Sequence, residues 1–379
     1  MDCWKREQVF HDGDKYFNTL SASLTLAQKT IDLETYIFTR KKLGIRILNI
    51  LQKKASQGVK VRLLLDGVGC SEWDAHSIQE LNNKGVQTKI YHPMIWMLFY
   101  EKNQFRFPGV YQIREVLRAI WSLNRRNHRK VCIIDGKLAF AGGMNVSDVY
   151  LTETSGNHAW RDSGVCFEGS DVRLLVQAFD AVWKKSRKRK RWFNPIQNLL
   201  RKHVRLNDTL TKRRSYHRDL VVRILESKKR IWITTPYLVP EISFIRALRY
   251  ASRSGVDTRL IVPKKNDVPF MTLANSAFYS ILLESGVQIY EYVPRILHAK
   301  VMLIDEWSII GSSNRNHRSL IHDLEVDIVL SHLESLHSVE AQFKKDLELS
   351  QQVTVEKWRK RSWLNSILGR ALLIFKYWI

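Results

Sequence analysis

Two short motifs with the same spacing carry the side chains best suited to chemistry. Each has the form His-x-Lys-x4-Asp, and the copies are His128, Lys130 and Asp135, and His298, Lys300 and Asp305. Side chains alternate along a strand, so a histidine and a lysine two residues apart project from the same face. Each aspartate has the opposite parity and lies near a turn, where it would brace the site rather than touch a substrate.

An asparagine follows each motif after a turn of small residues. The sequences GGMN and GSSN end at Asn145 and Asn314. Glycine lets backbone approach a ligand closely, and the amide supplies a neutral donor for a phosphoryl oxygen. An acid follows in each half, Asp162 in WRDSG and Glu325 in HDLEVD. Either could bind the far ring nitrogen of a histidine and fix its tautomer, or be an ordinary surface acid.

These residue types suit phosphodiester chemistry without a metal ion. A neutral imidazole can attack phosphorus and form a covalent intermediate, which divides one difficult substitution into two easier ones. The other imidazole, when protonated, can give a proton to the departing alcohol and later take one from the acceptor. Lysines and asparagines would surround the charge on the phosphoryl oxygens. No HExxH or other metal-ligand spacing occurs, so we expect no metal and no cofactor.

The motif occurs twice because the chain repeats itself. GVKVRLLLD at 58–66 recurs as GVDTRLIVP at 255–263, and GVQTKIY at 85–91 recurs as GVQIYEY at 286–292. TYIF at 35–38 has a looser counterpart in TPYL at 235–238. HRKVCIIDGKLAFAGGMN at 128–145 recurs as HAKVMLIDEWSIIGSSN at 298–314. Matches in the same order indicate two homologous halves.

Each half alternates predicted strands with predicted helices. The strand candidates VRLLL, VCII, RLIV, VMLI and VDIVL are short and nearly all apolar, which is typical of strands covered on both sheet faces. Apolar residues three and four apart predict helices over residues 45–55 and 244–251. We therefore expect an α/β fold in which each half is an α/β/α sandwich.

Breaks in the repeat set the predicted domain boundaries. The N-terminal lobe covers residues 1–183 and contains an aromatic insert at about 93–123. A basic linker that begins KKSRKRKR covers residues 184–214, and the C-terminal lobe covers 215–350. Residues 351–379 form a basic, aromatic and amphipathic tail.

The charge balance favours an anionic partner. The 379 residues include 61 Lys and Arg against 37 Asp and Glu, a formal net charge of +24. Such a field attracts either nucleic acid or an anionic membrane surface. Four scattered cysteines without CxxC spacing fit a reducing compartment better than a disulfide framework. No secretion signal and no apolar run near the roughly 18 residues needed to span a bilayer is found, so we expect a soluble or peripheral protein.

The insert and the tail favour the membrane over nucleic acid. An unbroken apolar run in the insert, which suits a wall for acyl chains or a foot in the bilayer interface, includes Trp96, Leu98, Phe99 and Tyr100. Nucleic-acid binders usually interleave such aromatic residues with polar ones. In the tail, Trp358 and Trp363 stand among lysines and arginines, as in a helix on anionic lipid. Alternatively the insert is extra core, the tail packs on the domain, and the linker is merely solvated.

Together these motifs resemble those of the phospholipase D superfamily, whose two-lobed members bring two HKD motifs to one shared active site. The order LETYIF, LLLDGVG, NHRKVCIIDGKLAFAGGMN, WRDSGV, TTPYLVP, LHAKVMLIDEWSIIGSSN and LEVDIVL is similar to the bacterial cardiolipin synthase branch, in particular to its shorter type without N-terminal transmembrane helices. The resemblance covers roughly residues 10–350. It implies two homologous lobes packed around a shared site that is lined by His128, Lys130, Asn145, His298, Lys300 and Asn314.

The resemblance implies a phosphatidyltransferase that joins two phosphatidylglycerols into cardiolipin and glycerol through a phosphohistidine. It favours His128 as the nucleophile, whereas the residues alone do not distinguish the two histidines. The residues also leave open whether phosphatidylethanolamine is a donor or an acceptor, and they leave the oligomeric state open. The partners would be phosphatidylglycerol and the cytoplasmic face of a bacterial membrane, and nucleic acid is disfavoured. Alternatives are a hydrolytic phospholipase D, a nuclease of the same superfamily, and a non-enzymatic adaptor, which the two intact His–Lys pairs disfavour.

Overall fold

The computed structural model describes residues 4–94, 125–184 and 203–359. The elements of the first half are β1 (Trp4–Phe10), α1 (Gly13–Thr25), β2 (Thr30–Thr35), α2 (Lys42–Ser56), β3 (Lys60–Asp66), α3 (Ala75–Asn83), β4 (Val86–Tyr91), β5 (Val131–Ile134), β6 (Leu138–Gly142), α4 (Thr152–Ser155), β7 (Gly164–Gly169) and α5 (Val172–Trp183). Their strands form one sheet in the order β1-β7-β6-β5-β2-β3-β4. Strands β2, β3 and β4 are parallel, and the others pair antiparallel.

The second half repeats this plan with an eight-stranded sheet in the order β17-β12-β11-β9-β13-β14-β16-β8. Its elements are β8 (Val204–Leu206), α6 (Leu210–Glu226), β9 (Arg230–Thr234), β10 (Leu238–Val239), α7 (Ile242–Arg253), β11 (Asp257–Pro263), α8 (Pro269–Ser276), α9 (Tyr279–Leu283), β12 (Gln288–Tyr292), β13 (Val301–Ile304), β14 (Trp307–Gly311), β15 (Arg315–Asn316), α10 (His317–Ile321), β16 (Val326–Val329), α11 (Leu333–Glu348), β17 (Ser350–Val353) and α12 (Val355–Arg359). Strands β10 and β15 pair separately.

The wholly apolar strands are covered on both faces, as their composition predicts. Helices α1 and α2 cover the outer face of the first sheet, and α6 and α7 cover that of the second. The inner faces of both sheets share one core with α5 and α11. The indole N–H of Trp4 donates to the Val329 carbonyl at 3.1 Å, and Arg161 pairs with Asp346 at 2.7 Å, so polar contacts also join the halves. The predicted fold class, two α/β/α lobes, is confirmed.

Two predicted boundaries differ from the structure. Residues assigned to the end of the basic linker form β8 and the start of α6, because β8 completes the second sheet by pairing with β16. The first residues of the predicted tail form β17, which pairs with β12, and α12, which packs on α9. The insert from residue 95 onward, the linker over 185–202 and the tail from 360 lie outside the described residues. Among the residues that are described, none belongs to a helix long and apolar enough to cross a bilayer.

Candidate active site

The two histidines stand where each lobe meets the other. His128 precedes β5, and its backbone N–H donates to Leu324 O at 3.0 Å, while Leu324 N–H donates to Arg126 O at 2.8 Å. The other motif repeats the arrangement, because His298 N–H donates to Arg161 O at 2.8 Å. Each motif is therefore anchored by the buried strand that follows it and by a backbone bridge to the opposite lobe.

Each imidazole binds an acid from the opposite lobe. His128 Nδ1 lies 3.0 Å from Glu325 Oε1, and His298 Nδ1 lies 2.7 Å from Asp162 Oδ2. Both acids are almost completely buried, so they are not surface carboxylates. Holding Nδ1 in this way fixes the ring and leaves Nε2 as the nitrogen for chemistry. The sequence indicated that acids could serve the histidines, but not that the lobes exchange them.

The two lysines lie beside their own histidines. Lys130 Nζ donates to His128 O at 2.7 Å, and Lys300 Nζ donates to His298 O in the same manner. Lys300 Nζ also lies 2.8 Å from His298 Nδ1 and 3.1 Å from Nε2. Both lysines are buried.

Burial and nearby charge lower the pKa of both imidazoles. Burial holds the pKa of His128 well below its ordinary value. The charges of Lys130, Lys300 and His298 lower this pKa further. Burial and then Lys300 lower the pKa of His298, against the opposing effect of Asp162. Burial also lowers the pKa of Lys130 to about 7 and raises that of Glu325 to about 7. Groups of both motifs thus act on His128, which places them in one electrostatic environment.

The two asparagines differ in their surroundings although both are buried. Asn145 Oδ1 accepts from the backbone N–H of Ile37 at 3.0 Å. Asn314 Oδ1 is buried without a hydrogen-bond partner among the described residues. In the second lobe Tyr237 is the counterpart of Ile37, and the neighbouring N–H, that of Leu238, donates to Asn275 Oδ1. The repeat therefore preserves the asparagine but not its role in holding the loop.

The motif aspartates lie at turns, away from the histidines and lysines of their motifs. Asp135 lies at the far end of β5 and accepts from the backbone N–H groups of Gln28, Lys29 and Thr30. Asp305 does the same at the far end of β13, with the N–H groups of residues 228–230. Both residues have positive φ, 53° and 50°, as a tight turn requires. Their role is to tie the strand end to the preceding loop.

Aromatic residues complete the site, and the motif analysis did not identify them. The Tyr36 ring centre lies 5.0 Å from that of His128, and Lys130 Nζ lies 5.3 Å from the Tyr36 ring. On the other side, Trp160 lies 5.5 Å from the His298 ring and the Tyr150 hydroxyl lies 3.4 Å from its Nδ1. The recurrence of TYIF as TPYL was the available signal, since Tyr36 and Tyr237 both face a motif histidine.

The residues predicted to contact lipid fall mostly outside the described part of the chain. Those outside are Trp96, Leu98, Phe99, Tyr100 and Trp363. The remaining one, Trp358, packs on Tyr279 at 4.7 Å between ring centres, and its indole N–H donates to Ser280 at 2.8 Å. These contacts dock α12 on the second lobe, and the lipid contact of Trp358 stays a prediction. No group of three or more potential metal ligands occurs in residues 4–94, 125–184 and 203–359.

Comparisons with known proteins identify the family of this chain. The model of the family described as "Cardiolipin synthase, PLD-like domain" matches residues 20–183 and 220–347. The chain is 31% identical over 379 aligned residues to a cardiolipin synthase of Halalkalibacterium halodurans, covering 95% of this chain and 70% of that protein. It is 29% identical to a probable cardiolipin synthase of Bacillus subtilis, covering 93% and 68%.

A solved structure supports the fold alone. The phosphatidylserine synthase of Haemophilus influenzae matches with a TM-score of 0.64 at 12% identity, covering 98% of this chain and 93% of that one. The family model, the relatives and the two-lobed site lead to the same conclusion. The chain belongs to the cardiolipin synthase family of phospholipase D-like enzymes.

Proposed function

We propose that this chain is a phosphatidyltransferase that converts two phosphatidylglycerol molecules into cardiolipin and glycerol through a phosphohistidine. The observation that carries the proposal is the exchange of acids between the lobes, His128 with Glu325 and His298 with Asp162. Each imidazole then has its Nδ1 held by an acid, and the two reactive groups come from separate lobes. The names of the relatives support the choice of lipid substrate.

In the first step, His128 Nε2 attacks the phosphorus of the donor lipid. A P–N bond forms and the bond from phosphorus to the glycerol headgroup oxygen breaks. His298, charged in the substrate complex, gives its Nε2 proton to that oxygen, and glycerol leaves. His128 suits the nucleophilic role because its pKa lies well below the ordinary value, which makes the neutral ring the dominant form at pH 7.

In the second step, a headgroup hydroxyl of another phosphatidylglycerol attacks the same phosphorus. His298 takes the hydroxyl proton as the new P–O bond forms, and the P–N bond breaks to release neutral His128. Lys130, Lys300 and the side-chain N–H groups of Asn145 and Asn314 would stabilise the charge on the phosphoryl oxygens in both steps. The net reaction consumes two phosphatidylglycerols and balances without an oxidant or a cofactor.

The surface on which this reaction takes place is proposed to be the cytoplasmic face of an anionic membrane. The formal net charge of +24 would hold the protein against such a surface. Both substrates are then delivered from the bilayer, where water competes less well as an acceptor.

The test is product analysis by mass spectrometry after the purified chain is incubated with phosphatidylglycerol vesicles. Cardiolipin and glycerol in equal amounts are expected. Phosphatidic acid as the main product would reassign the protein to a hydrolytic phospholipase D. Degradation of labelled DNA or RNA without lipid turnover would reassign it to a nuclease.

The phosphohistidine is tested by quenching the reaction with alkali when the donor carries labelled phosphorus. Label should stay on wild-type protein, and acid should remove it, as phosphoramidate chemistry requires. Label on His298→Ala together with none on His128→Ala would support the assignment of roles. The opposite pattern would exchange them.

A further inference from the structure

The second lobe contains a cavity with about 500 Å³ of empty space that opens to solvent. It lies between α6, the start of α7 and the segment that follows β14. The lining residues that carry the inference are Arg213, His217, Phe244, Asn314, Arg315 and Ser319.

The repeat explains why the cavity is larger in the second lobe than in the first. The segment after β6 reads MNVSDVY from Met144, and the equivalent segment after β14 reads SNRNHRS from Ser313. Met144 and Tyr150 fill the core of the first lobe, while the smaller Ser313 and Ser319 stand in their places. Phe17 is likewise matched by His217, each thirteen residues before the strand that begins at residue 30 or 230. The equivalent space in the first lobe, lined by Phe17, Met144 and Val146, has about 250 Å³ empty, so the space in the second lobe is larger and is lined by more polar residues.

Two buried polar atoms at the cavity have no hydrogen-bond partner among the described residues. They are Asn314 Oδ1, an acceptor, and Arg315 Nη2, a donor whose nearest carboxylate oxygen, on Asp327, is 3.7 Å away. Each residue is only 8% exposed. Buried polar groups are nearly always paired, so an unpaired acceptor beside an unpaired donor indicates a ligand that offers both.

The charge around these atoms restricts the ligand. Asn314 Oδ1 and the Glu241 carboxylate would repel an anion, while Arg213 and Arg315 would repel an ammonium group. A neutral hydroxyl can donate to Asn314 and accept from Arg315 at once. We propose that this cavity binds the glycerol headgroup of the acceptor phospholipid, an inference that rests on the proposed transferase function.

The position of the cavity suits an acceptor. The side-chain amide of Asn314 can serve both the reacting phosphoryl group and the cavity. It can offer its N–H group to the phosphoryl oxygen and its Oδ1 to a ligand in the cavity. Ser319, in the cavity wall, donates to Glu325 at 2.7 Å, and Glu325 in turn holds His128. A headgroup bound here lies next to the reacting phosphorus.

Exposed aliphatic residues close in the chain to the lining residues favour a lipid over a free polyol. Three exposed aliphatic residues lie within three positions of lining residues in the chain: Leu210, Ile242 and Ile321, at 65%, 61% and 36% exposed. Exposed apolar side chains around a polar cavity are expected where acyl chains leave a bound headgroup.

The experiment fills the cavity with side chains from the other lobe. Ser313→Met and His217→Phe reproduce Met144 and Phe17, and neither residue belongs to the catalytic set. With phosphatidylglycerol vesicles, the ratio of cardiolipin to phosphatidic acid should fall roughly tenfold or more in each variant, because water still fits and the headgroup does not. Retained formation of phosphatidic acid shows that the variant is folded and still performs the donor step. Ser254→Met, on the exposed end of α7, is the matched control and should leave the ratio unchanged.

The outcomes separate this inference from the proposed function. Absence of cardiolipin with the wild-type chain would overturn both. Wild-type cardiolipin formation with an unchanged ratio in both cavity variants would overturn the cavity assignment alone. If neither variant folds, labelled glycerol added to the wild-type reaction decides: it should enter phosphatidylglycerol and compete with cardiolipin formation, and a lack of competition overturns the assignment. Loss of glycerol incorporation without loss of cardiolipin in the variants would mean that the cavity takes free glycerol, which also overturns it.

Discussion

The two lobes repeat the same backbone but support their motif histidines with opposite kinds of residue. Around His128 the neighbours in sequence are Arg126, Asn127 and Arg129. Around His298 the equivalent residues are Ile296, Leu297 and Ala299. Leu297 and Ala299 join the apolar core that both sheets share, whereas the residues of the first lobe form a buried polar network.

The network of the first lobe is held by two acids. Arg129 Nε lies 3.2 Å from Glu34, and Asn127 donates both to Glu34 and, through its backbone, to Asp66 at 2.9 Å. The second lobe has Thr234 and Pro263 at the positions of these acids. The His and Lys residues of the two motifs are therefore the same in both lobes, while the residues that pack around the histidines differ. Equivalent substitutions in the two lobes should therefore have unequal effects.

The largest expected effect is one in which the lobes do not differ. His128→Ala and His298→Ala should each lower kcat by roughly 10³-fold or more, since each ring serves a separate step. Steady-state cardiolipin formation measures this. Substantial turnover in either variant would refute a shared site and leave each lobe to act alone.

The polar network offers the next largest contrast. Arg129→Ala creates the residue of the second lobe but leaves Glu34 buried without its charged partner, so the free energy of unfolding should fall by about 3 kcal/mol. The double variant with Glu34→Thr reproduces the second-lobe pair and should recover most of that loss. Urea unfolding of the single and double variants measures the coupling. If the effects of the two substitutions on the free energy of unfolding simply add, Arg129 and Glu34 are not energetically coupled.

The turns that contact Asp162 and Glu325 contain different residues, Gly143 and Ser312, and substituting alanine for each tests the difference. A Cβ on Gly143 would lie 2.2 Å from Asp162 Oδ1, so Gly143→Ala should displace the partner of His298 and lower kcat roughly 10- to 100-fold. The equivalent residue, Ser312, donates a hydroxyl to Glu325. Ser312→Ala opens space and leaves the Ser319 bond intact, so a loss below about tenfold is expected. Equal losses would argue against the steric explanation.

The motif aspartates should affect stability rather than chemistry, equally in both lobes. Asp135→Ala and Asp305→Ala should each lower the free energy of unfolding by about 1–3 kcal/mol at pH 7, with kcat nearly unchanged. Although burial acts to raise it, the backbone N–H groups of residues 28–30 hold the pKa of Asp135 below its ordinary value, and those of residues 228–230 do so for Asp305.

The sign of the pH dependence follows from that depression. The stabilisation is fully present above the ordinary aspartate pKa of about 3.9 and is lost as the pH falls through the lower folded value. The stability difference between wild type and either variant should therefore shrink below about pH 4. A constant difference down to pH 2 would contradict it.

The smallest expected effect is on the pH profile of the wild-type enzyme. Burial lowers the pKa of both catalytic imidazoles, so the acidic limb of kcat/KM should lie below the ordinary histidine value of about 6.5. Lys130→Met removes a positive charge that acts on His128 and should move that limb to higher pH. An acidic limb that does not move would mean that the titration of His128 does not set the pH profile.

Much of the fold could be predicted from local pattern. The repeat, the apolar strands and the shared parity of each His and Lys follow from residue types and a period of two, which depend only on neighbours in the chain. The helices predicted over residues 45–55 and 244–251 appear as α2 and α7, because the spacing of apolar residues three and four apart is also a local pattern.

What the sequence determined by itself is the set of reactive groups and the strands that present them. The tertiary structure decided which acid binds which histidine, because Glu325 reaches His128 only when the two sheets pack through a common core. It also decided that Asp135 braces a turn far from the site and that the cavity of the second lobe is larger than its counterpart in the first. The contacts of Glu325 and Asp135 join residues more than a hundred positions apart, so tertiary packing within and between the lobes, rather than any local periodicity, selects them.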